Sequence, residues 1–299
     1  MSSISSSPAS PLPSSATERT DRLSHAAAAA ATAKQLGFTL LPWQRLVLDV
    51  ALEHENGRLA YRTVTVSVPR QSGKTLLMLT VILHRMLSAP DQRVVYAAQN
   101  RLSARARLLD TWWPRISRSP LASKFKISRG MGGEALRSSN GSLLTLLSTD
   151  ESAGHGDVLD LAILDECWAL DQRAEQSTRP AMVTRKNAQS WQVSTAGNAK
   201  SVWWRSKIDA GRAAADAGVT VNSAFFEWAA GPGDDMADPA TWRRCMPGLG
   251  FIAEEATIAA DAQVMTPGEF RRAYGNLWPD QLGEGWQVIP QSVWEQALI

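Results

Sequence analysis

The segment that most constrains the fold is a short loop between an apolar strand and an apolar helix, Val68-Pro69-Arg70-Gln71-Ser72-Gly73-Lys74-Thr75. The β-branched run before it, residues 61–67, predicts a buried strand. The run after it, residues 76–83, predicts a helix that begins at Lys74. A loop of this kind turns successive backbone N–H groups toward one point at a helix N-terminus, where the helix dipole favours a phosphate. The sequence therefore predicts an α/β fold with a site for a nucleoside triphosphate.

The residues of this loop have expected roles. Gly73 permits close backbone approach, Lys74 reaches the β- and γ-phosphates, and the Thr75 hydroxyl ligates Mg²⁺. The first glycine of the motif normally falls at position 68, where this chain has Val68. Arg70 has two interpretations: it stabilises charge on the γ-phosphate, typically about 10³–10⁵-fold in rate, or it only braces the loop by pairing with a carboxylate.

A second motif places two acids at the end of an apolar strand, Leu161-Ala-Ile-Leu-Asp165-Glu166. Next to a phosphate-binding loop, the first acid is expected to hold Mg²⁺ and the second to activate the attacking water. Adjacent carboxylates at the exit of a buried strand are costly unless a cation is near. The alternative is an exposed Asp-Glu pair at the start of a helix.

Two weaker features belong to the same hypothesis. Gln44 lies beside Trp43 on a helix predicted from Pro42, and an amide offers the donor and acceptor that could read an adenine edge; the alternative is a glutamine facing solvent. Ser194 and Thr195 end a predicted strand, at the rim where open α/β sheets bind ligands. We expect these hydroxyls to sense the γ-phosphate and pass the signal onward.

Strands alternating with helices predict a mostly parallel sheet with helices on both faces. Pro114 is expected to stop the helix predicted from Arg101. After Trp228 the pattern changes to short helices, which predict a small helical subdomain. The expected organisation is a disordered Ser/Pro/Ala-rich tail at 1–35, an α/β core at 36–228, a helical lid subdomain at 229–285, and a linker or the start of a further domain at 286–299.

Composition limits the class of protein. The chain has 299 residues, 44% of them hydrophobic and 20% charged, which is typical of a globular protein with a sizeable core. No apolar run reaches the roughly 18 residues that a membrane helix needs, so no membrane partner is expected. Cys167 and Cys245 lie far apart and predict reduced thiols. Basic residues concentrate in 93–129 and acidic residues after 227, as expected if one face meets a polyanion, although a solvated basic face is the alternative.

Taken in chain order, these motifs resemble the large subunit of the terminase of tailed bacteriophages. In that family the loop has the form Arg-Gln-x-Gly-Lys-Thr and lacks the first glycine, so Val68 fits the resemblance. An extra strand, here 93–98, between the loop strand and the acidic strand, with Glu directly after Asp, resembles the P-loop NTPases that use a catalytic glutamate. Segments 225–228, 247–250 and 269–272 resemble the family's lid subdomain.

The resemblance implies an ATPase that drives double-stranded viral DNA into a prohead, with ATP and Mg²⁺ as cofactors. It implies Glu166 as the catalytic base, Arg70 as a γ-phosphate sensor, Thr75 and Asp165 as metal ligands, and Ser194-Thr195 as a coupling motif. The expected partners are DNA, the portal of the prohead, a small terminase subunit and further copies of the chain in a ring, in the host cytoplasm. The ATP-binding set would be Gln44, Pro69, Arg70, Gln71, Ser72, Gly73, Lys74 and Thr75.

By charge alone, Arg101, Arg105 and Arg107 are candidates for contacts to DNA or for an arginine that completes a neighbour's site. Members of the family normally carry a nuclease domain as well, and residues 286–290 are interpreted as its possible first residues, so endonuclease activity is not expected from this chain. Two alternatives stay open: a helicase-like translocase of nucleic acid, and a nucleotide-gated scaffold without turnover.

Overall fold

The computed structural model describes residues 10–147, 158–219 and 221–279; the predicted segment 286–299 lies outside these ranges. The strands are β1 (Ser15–Ala16), β2 (Leu23–Ser24), β3 (Glu53–Glu55), β4 (Arg58–Leu59), β5 (Thr63–Ser67), β6 (Arg93–Ala97), β7 (Phe125–Ser128), β8 (Ala135–Ser138), β9 (Leu143–Leu146), β10 (Leu161–Asp165), β11 (Gln189–Ser194) and β12 (Ser223–Glu227). The α-helices are α1 (Ala26–Gln35), α2 (Pro42–Ala51), α3 (Lys74–Ser88), α4 (Arg101–Ala106), α5 (Trp113–Ser117), α6 (Gln172–Thr178), α7 (Val202–Asp216), α8 (Pro239–Cys245), α9 (Glu255–Val264) and α10 (Pro267–Gly275).

Nine strands form one sheet in the order β1-β12-β5-β11-β10-β6-β9-β8-β7. The six central strands, from β12 to β9, pair in parallel, and β1, β8 and β7 pair antiparallel at the two sides. The central strands are buried on both faces, as parallel strands covered by helices must be. The predicted mostly parallel α/β fold is confirmed.

The order of the central strands differs in one detail from the sequence-based expectation. The strand predicted at 93–98 is β6, which lies on the far side of the acidic strand β10. The strand between β5 and β10 is β11, which ends at Ser194. Because parallel strands end at the same side of a sheet, the loop after β5, the two acids of β10 and the hydroxyls after β11 meet at one edge. We call this the carboxyl edge, and the opposite one the amino edge.

Pro114 does not end the helical segment that begins at Arg101, in contrast to the prediction. Helix α4 continues through a π-helical stretch, Arg107–Trp112, directly into α5, where Pro114 stands in the first turn. A proline is tolerated there because the N–H groups of a first turn have no helical partner. The wider π turn re-registers the chain so that a new first turn begins just before the proline.

Residues 10–35 form part of the folded structure and thus differ from the disordered tail predicted for 1–35. β1 adds to the sheet beside β12, and the Trp228 indole donates a hydrogen bond to the carbonyl of Pro11 at 2.9 Å. The alanine run forms α1, which packs on α3 and α2 and buries Ala26, Ala29 and Ala33. Alanine has the highest helix propensity, and its small side chain allows two helices to approach closely.

A separate hydrophobic cluster follows β12, formed by residues of α8, α9, α10 and their connections, with Trp242, Phe270 and Tyr274 at its centre. The lid subdomain after residue 228 stays a prediction, and the structure shows a separate hydrophobic cluster in this part of the chain. Cys167 and Cys245 are buried free thiols. Within the described residues, no helix is both long and apolar enough to cross a bilayer.

Candidate active site

A cleft of about 550 Å³ opens at the carboxyl edge of the sheet. It is lined by residues 70–75 of the loop, by Asp165 at the end of β10, by Glu166 directly after it, and by Arg107 and Trp168. The structure therefore brings the predicted loop and the predicted acidic pair to one place.

The loop after β5 is held by backbone hydrogen bonds to β11 and to α10. The Val68 N–H donates to the Ser194 carbonyl at 3.0 Å, and the Arg70 N–H donates to the Ala273 carbonyl at 2.8 Å. Gly73 has a left-handed backbone with φ of 93°, and a Cβ there would lie 3.0 Å from Gln44 Nε2. Both the backbone angle and the lack of space require glycine at this position.

Trp43 and Gln44 brace this loop from α2. The Trp43 indole donates to the Ser72 carbonyl, and Gln44 Nε2 donates to the Gly73 carbonyl, each at 2.9 Å. Gln44 Oε1 accepts from the Leu41 N–H at 2.8 Å, and the residue is 1% exposed. Since both ends of the amide are occupied and buried, the structure does not present Gln44 to an adenine edge, in contrast to the prediction. Its visible contact is the hydrogen bond to the Gly73 carbonyl, which holds the loop after β5.

Lys74 connects the loop to the end of β11. Its ammonium group donates to Thr195 Oγ1 at 2.9 Å. Burial lowers the pKa of Lys74, and the negative charges of Glu166 and Asp165 act in the opposite direction. The predicted phosphate-binding lysine and the predicted coupling hydroxyl are therefore in direct contact, and the lysine has no carboxylate within ion-pair distance among the described residues.

Asp165 is 1% exposed at the bottom of the cleft. Its Oδ2 accepts from the Tyr96 hydroxyl at 2.8 Å, and its Oδ1 accepts from the Glu166 N–H at 2.9 Å. Burial raises the pKa of Asp165 to about 6, and the neighbouring Glu166 adds to this shift. The carboxylate thus meets hydroxyl and amide donors but no directly bonded cation among the described residues.

Glu166 has a left-handed backbone with φ of 54° and reaches toward the cleft, where Oε2 accepts from the Trp168 indole N–H at 2.8 Å. A left-handed conformation is strained for a side chain of this kind and occurs often at functional sites. Ser194 lies behind this turn, where its hydroxyl accepts from the Trp168 N–H at 3.1 Å. The strained turn is therefore fixed by the strand that carries the predicted coupling motif.

Two arginines face the cleft. Arg70 is exposed, lines the cleft and makes no side-chain hydrogen bond or ion pair within the described part of the chain. Arg107, from the π-helical stretch, also lines it, and its charge influences the pKa of Lys74, Asp165 and Tyr96. The structure therefore places Arg107 at the cleft of its own chain, and its predicted contact to DNA or to a neighbour stays a prediction.

The other two predicted arginines are used inside the fold. Arg101 Nη2 and Arg105 Nε bind the two oxygens of Glu134 at 2.8 and 3.1 Å. Both guanidinium groups are only about one third exposed. Because they neutralise a carboxylate of their own chain, the structure does not offer them as free cations for DNA or for another subunit.

The helical part after β12 contributes Ile252, from the loop before α9, to the lining of the cleft. A Cβ at Gly248 would lie 2.7 Å from the Gln71 carbonyl oxygen, so this segment packs directly on the loop after β5. At the end of α10, Asn276 is fully buried and accepts from the Ala196 N–H at 2.5 Å. Its amide donates to Ser67 Oγ and to the Trp228 carbonyl, each at 2.9 Å.

Sequence reasoning missed several of these residues. Tyr96 and Trp168 have the character of ordinary core aromatics, although Trp168 lies only two positions after Glu166. Asn276 comes directly after α10 and caps its C-terminus, a position where asparagine with positive φ is common. Its three partners lie on other segments of the chain, and no local signal identifies them.

A family model of the terminase large subunit ATPase domain matches residues 42–208. None of the curated protein sequences compared with the chain matches it significantly. Among solved structures, the large terminase of bacteriophage HK97 is 19% identical with a TM-score of 0.73, over 86% of this chain and 56% of that one. The large terminase ATPase domain of Thermus phage P74-26 is 15% identical with a TM-score of 0.57, over 81% and 95%.

A third solved structure is the large terminase of a thermophilic bacteriophage in complex with ADP. It is 10% identical with a TM-score of 0.52, over 73% of this chain and 48% of that one. At these identities the structures show the same fold. The chain spans about half the length of the HK97 protein and of this ADP-bound terminase. The family match covers 167 of the 299 residues, from 42 to 208, and the chain therefore belongs to the family of terminase large subunit ATPase domains.

Proposed function

We propose that this chain binds and hydrolyses ATP and uses the energy to move double-stranded DNA into a viral prohead. The observation that carries the proposal is the convergence of Lys74, Asp165 and Glu166 in one cleft at the carboxyl edge of a parallel sheet. A phosphate-binding loop, a metal-binding acid and a base for water are the three parts that this chemistry needs.

Nucleotide binding is supported by polar groups that lack a counterpart in the protein. The buried Lys74 ammonium meets a hydroxyl, and the Ser72 hydroxyl is buried without a hydrogen-bond partner in the described part of the chain. A triphosphate at the N-terminus of α3 would supply acceptors to the loop and charge to Lys74. The large terminase of the thermophilic bacteriophage, solved with ADP and with ATP-γ-S, has the same fold.

The residues present also fit Mg²⁺. Thr75 offers a hydroxyl and Asp165 a carboxylate, which are the oxygen ligands that this ion prefers. The cost of burying Asp165 beside Glu166 is the kind that a cation offsets. Bound there, the ion would neutralise charge on the phosphates.

Glu166 would orient the attacking water and accept its proton. Arg70 and Arg107 both face the cleft from their own chain, and either can stabilise charge that develops on the γ-phosphate. Thr195, in contact with Lys74, would respond to the loss of that phosphate and transmit the change to β11. These roles extend the sequence-based predictions, with Arg107 added and Gln44 assigned to bracing the loop.

The decisive experiment compares Glu166→Gln with Glu175→Gln, a matched change at a carboxylate that bonds the Trp203 indole and Lys207 away from the cleft. We expect Glu166→Gln to retain ATP binding, measured by calorimetry, and to lower phosphate release by about 10²–10⁴-fold. Glu175→Gln should hydrolyse ATP like the wild type. Equal turnover in wild type and Glu166→Gln would show that Glu166 is not the base and would favour the nucleotide-gated scaffold.

DNA is the proposed polyanionic partner, and an exposed basic surface on β7 and β8 supports it. Lys126 and Arg137 lie directly opposite each other in the antiparallel pair, an arrangement of like charges that destabilises a sheet. Lys124 and Arg129 extend the surface, and all four side chains are exposed. A DNA backbone would relieve this repulsion without reading sequence.

This surface is tested by measuring how the double variant Lys126→Ala/Arg137→Ala binds double-stranded DNA. The control is the double variant Lys34→Ala/Arg58→Ala, which removes two exposed cations elsewhere. We expect the first double variant to bind less tightly and to lower the slope of log K against log salt by about 2, since each phosphate contact contributes about 0.9. The control should keep the slope. Equal changes in both variants would remove this surface from the proposal.

The other partners follow from the proposed motor. We propose further copies of the chain in a ring, the portal of the prohead and a small terminase subunit, with assembly in the host cytoplasm. The division at about residue 228 into an ATPase core and a lid belongs to the same proposal, supported by the separate cluster around Trp242. A helicase-like translocase would instead be indicated by strand separation on duplex DNA, which the motor does not require.

A further inference from the structure

Trp168 occupies the rim of the cleft, two residues after Glu166. It belongs to a short 3₁₀ turn, Cys167–Ala169, that follows the strained left-handed residue. Its indole N–H donates to Glu166 Oε2 at 2.8 Å. One carboxylate oxygen of the proposed base is therefore held by a fixed donor, and the other oxygen, Oε1, has no protein hydrogen bond among the described residues.

The backbone of Trp168 is tied to the end of β11. Its N–H donates to Ser194 Oγ at 3.1 Å, and its carbonyl accepts from Ser201 Oγ at 2.6 Å. These two bonds fix the turn on both sides. The position of the indole therefore depends on the strand that carries the proposed coupling motif.

The face of the Trp168 ring is covered by Arg272 from α10. The guanidinium carbon lies 5.6 Å from the ring centre, within the range of a cation–π contact, and Nη1 reaches the Ala196 carbonyl at 3.4 Å. Burial lowers the pKa of Arg272, the charge of Arg70 lowers it further, and Glu269 and Glu166 oppose the shift. Arg272, from the proposed lid subdomain, therefore packs against the Trp168 indole.

We propose that Trp168 is a positioning residue that holds the Glu166 carboxylate in the orientation needed to accept a proton from water. The inference rests on the proposed function, in which Glu166 is the base. A carboxylate on a flexible two-methylene side chain has many orientations, and one fixed hydrogen bond selects among them. A displacement of about 1 Å at a reacting group can cost about 100-fold in rate.

Trp168→Phe is the most direct test, because it removes the indole N–H and keeps an aromatic ring beneath Arg272. We expect kcat for ATP to fall by about 10- to 100-fold, with KM and the affinity for ADP within about twofold of wild type. A positioning role changes kcat alone, whereas a loosened fold raises KM and lowers Tm as well.

The matched control is Trp203→Phe. The Trp203 indole donates to Glu175 Oε2 at 3.2 Å, and Lys207 lies 5.8 Å from its ring centre, so the same kind of triplet occurs outside the cleft. This variant should retain the kcat of the wild type. A Trp168→Phe protein that matches it in kcat would overturn the inference, as would one whose KM, ADP affinity and Tm all change together.

A double-mutant cycle separates this inference from the proposed function. If Trp168 acts through Glu166, then adding Trp168→Phe to Glu166→Gln lowers the residual turnover by less than about twofold. Additive losses would mean that Trp168 acts elsewhere, and would overturn the inference while leaving Glu166 as the base. A wild-type protein that does not hydrolyse ATP would overturn the proposed function before any Trp168 variant is measured.

Discussion

The two edges of the central sheet both bury charged side chains, but they provide different partners for them. At the carboxyl edge, Lys74 is bonded to the Thr195 hydroxyl and Asp165 to the Tyr96 hydroxyl. At the amino edge, Arg85 donates to the Asn187 carbonyl at 2.6 Å, and Asp160 pairs with Arg185 at 3.2 Å. The carboxyl edge gives Lys74 only a neutral hydroxyl as partner, whereas the amino edge gives Arg85 a backbone carbonyl and pairs Asp160 with a cation.

This difference separates charges that serve a ligand from charges that serve the fold. A buried charge without a counter-charge costs stability, and the cost is recovered when a ligand of opposite charge binds. A buried charge with fixed partners contributes nothing to binding, but its removal leaves those partners unsatisfied. Substitutions at the two edges should therefore have opposite consequences for affinity and stability.

The largest effect is expected at Lys74. Lys74→Met keeps roughly the length of the side chain and removes the charge proposed to bind the phosphates, so ATP affinity measured by calorimetry should fall at least about 100-fold, or about 3 kcal/mol. The free energy of unfolding without nucleotide should not decrease, because the variant no longer has to desolvate a buried charge. A clear loss of stability in the nucleotide-free variant would mean that Lys74 is structural, as Arg85 is.

Arg85→Met should show the reverse pattern. It leaves the Asn187 carbonyl without the Arg85 donor, removes a weaker 3.5 Å contact to the Asp160 carbonyl, and removes a cation near the Asp160 carboxylate. We expect the free energy of unfolding in urea to fall by roughly 3 kcal/mol, with ATP affinity unchanged. Weakened nucleotide binding at the same stability would erase the distinction between the two edges.

How far the sequence predicts these sites depends on how local their signals are. The loop with Lys74 and the acids after β10 were found because each lies within one strand-to-helix segment. Gly73, the partner of Gln44 on the loop, lies 29 residues away, and Glu134 lies 29 and 33 residues from the arginines it binds. Contacts of that range depend on the tertiary fold, and the sequence does not reveal them. Without visible partners inside the protein, these side chains are predicted to face a ligand.

The N-terminal segment shows the same limit. Its Ser/Pro-rich composition lacks apolar periodicity and predicts disorder, yet Ser15 and Ala16 pair with Glu227 and Phe226 of β12. A strand of two residues leaves no pattern in a sequence. This short strand is held by its pairing with β12 at the edge of the sheet, and β12 lies more than 200 residues later in the chain.

The amino edge also predicts a specific pH dependence. Burial lowers the pKa of His84 to about 4, with further contributions from Arg85 and from His25, which itself stacks on His54. Between about pH 6.5 and 4 the unfolded chain binds a proton at this residue that the folded chain does not, so stability is present above about pH 6.5 and is lost as pH falls.

His84→Gln removes this titration. Urea unfolding at about pH 7.5 and pH 5 should show that the wild type loses roughly 2 kcal/mol more than the variant, the equivalent of about 1.5 pH units below the unfolded pKa. This loss of stability at low pH distinguishes the amino edge from the cleft. At the cleft we expect stability to depend on whether a ligand is bound, and not on a protonated histidine. The same pH dependence in both proteins would show that His84 ionises freely in the folded state.

The smallest effect on stability is expected at Asn276. This residue lies at the carboxyl edge, but both ends of its side-chain amide form hydrogen bonds within the protein, so it tests the comparison of the two edges. If satisfied partners and not the edge itself define a structural group, Asn276 should behave like Arg85. Asn276→Ala and Asn276→Gly both remove the bonds to Ala196, Ser67 and Trp228. They differ in one respect: φ is 54°, a left-handed angle that glycine adopts freely and alanine does not.

Both variants should therefore be less stable than the wild type, and the glycine variant should be more stable than the alanine variant by about 1 kcal/mol. Chemical denaturation of the two proteins side by side measures this difference. An alanine variant as stable as the glycine variant would mean that the end of α10 relaxes to another backbone conformation once the asparagine bonds are lost. Retained ATP affinity in both would place Asn276 with the groups that hold the fold, since a residue beside the cleft can be structural when its partners lie within the protein.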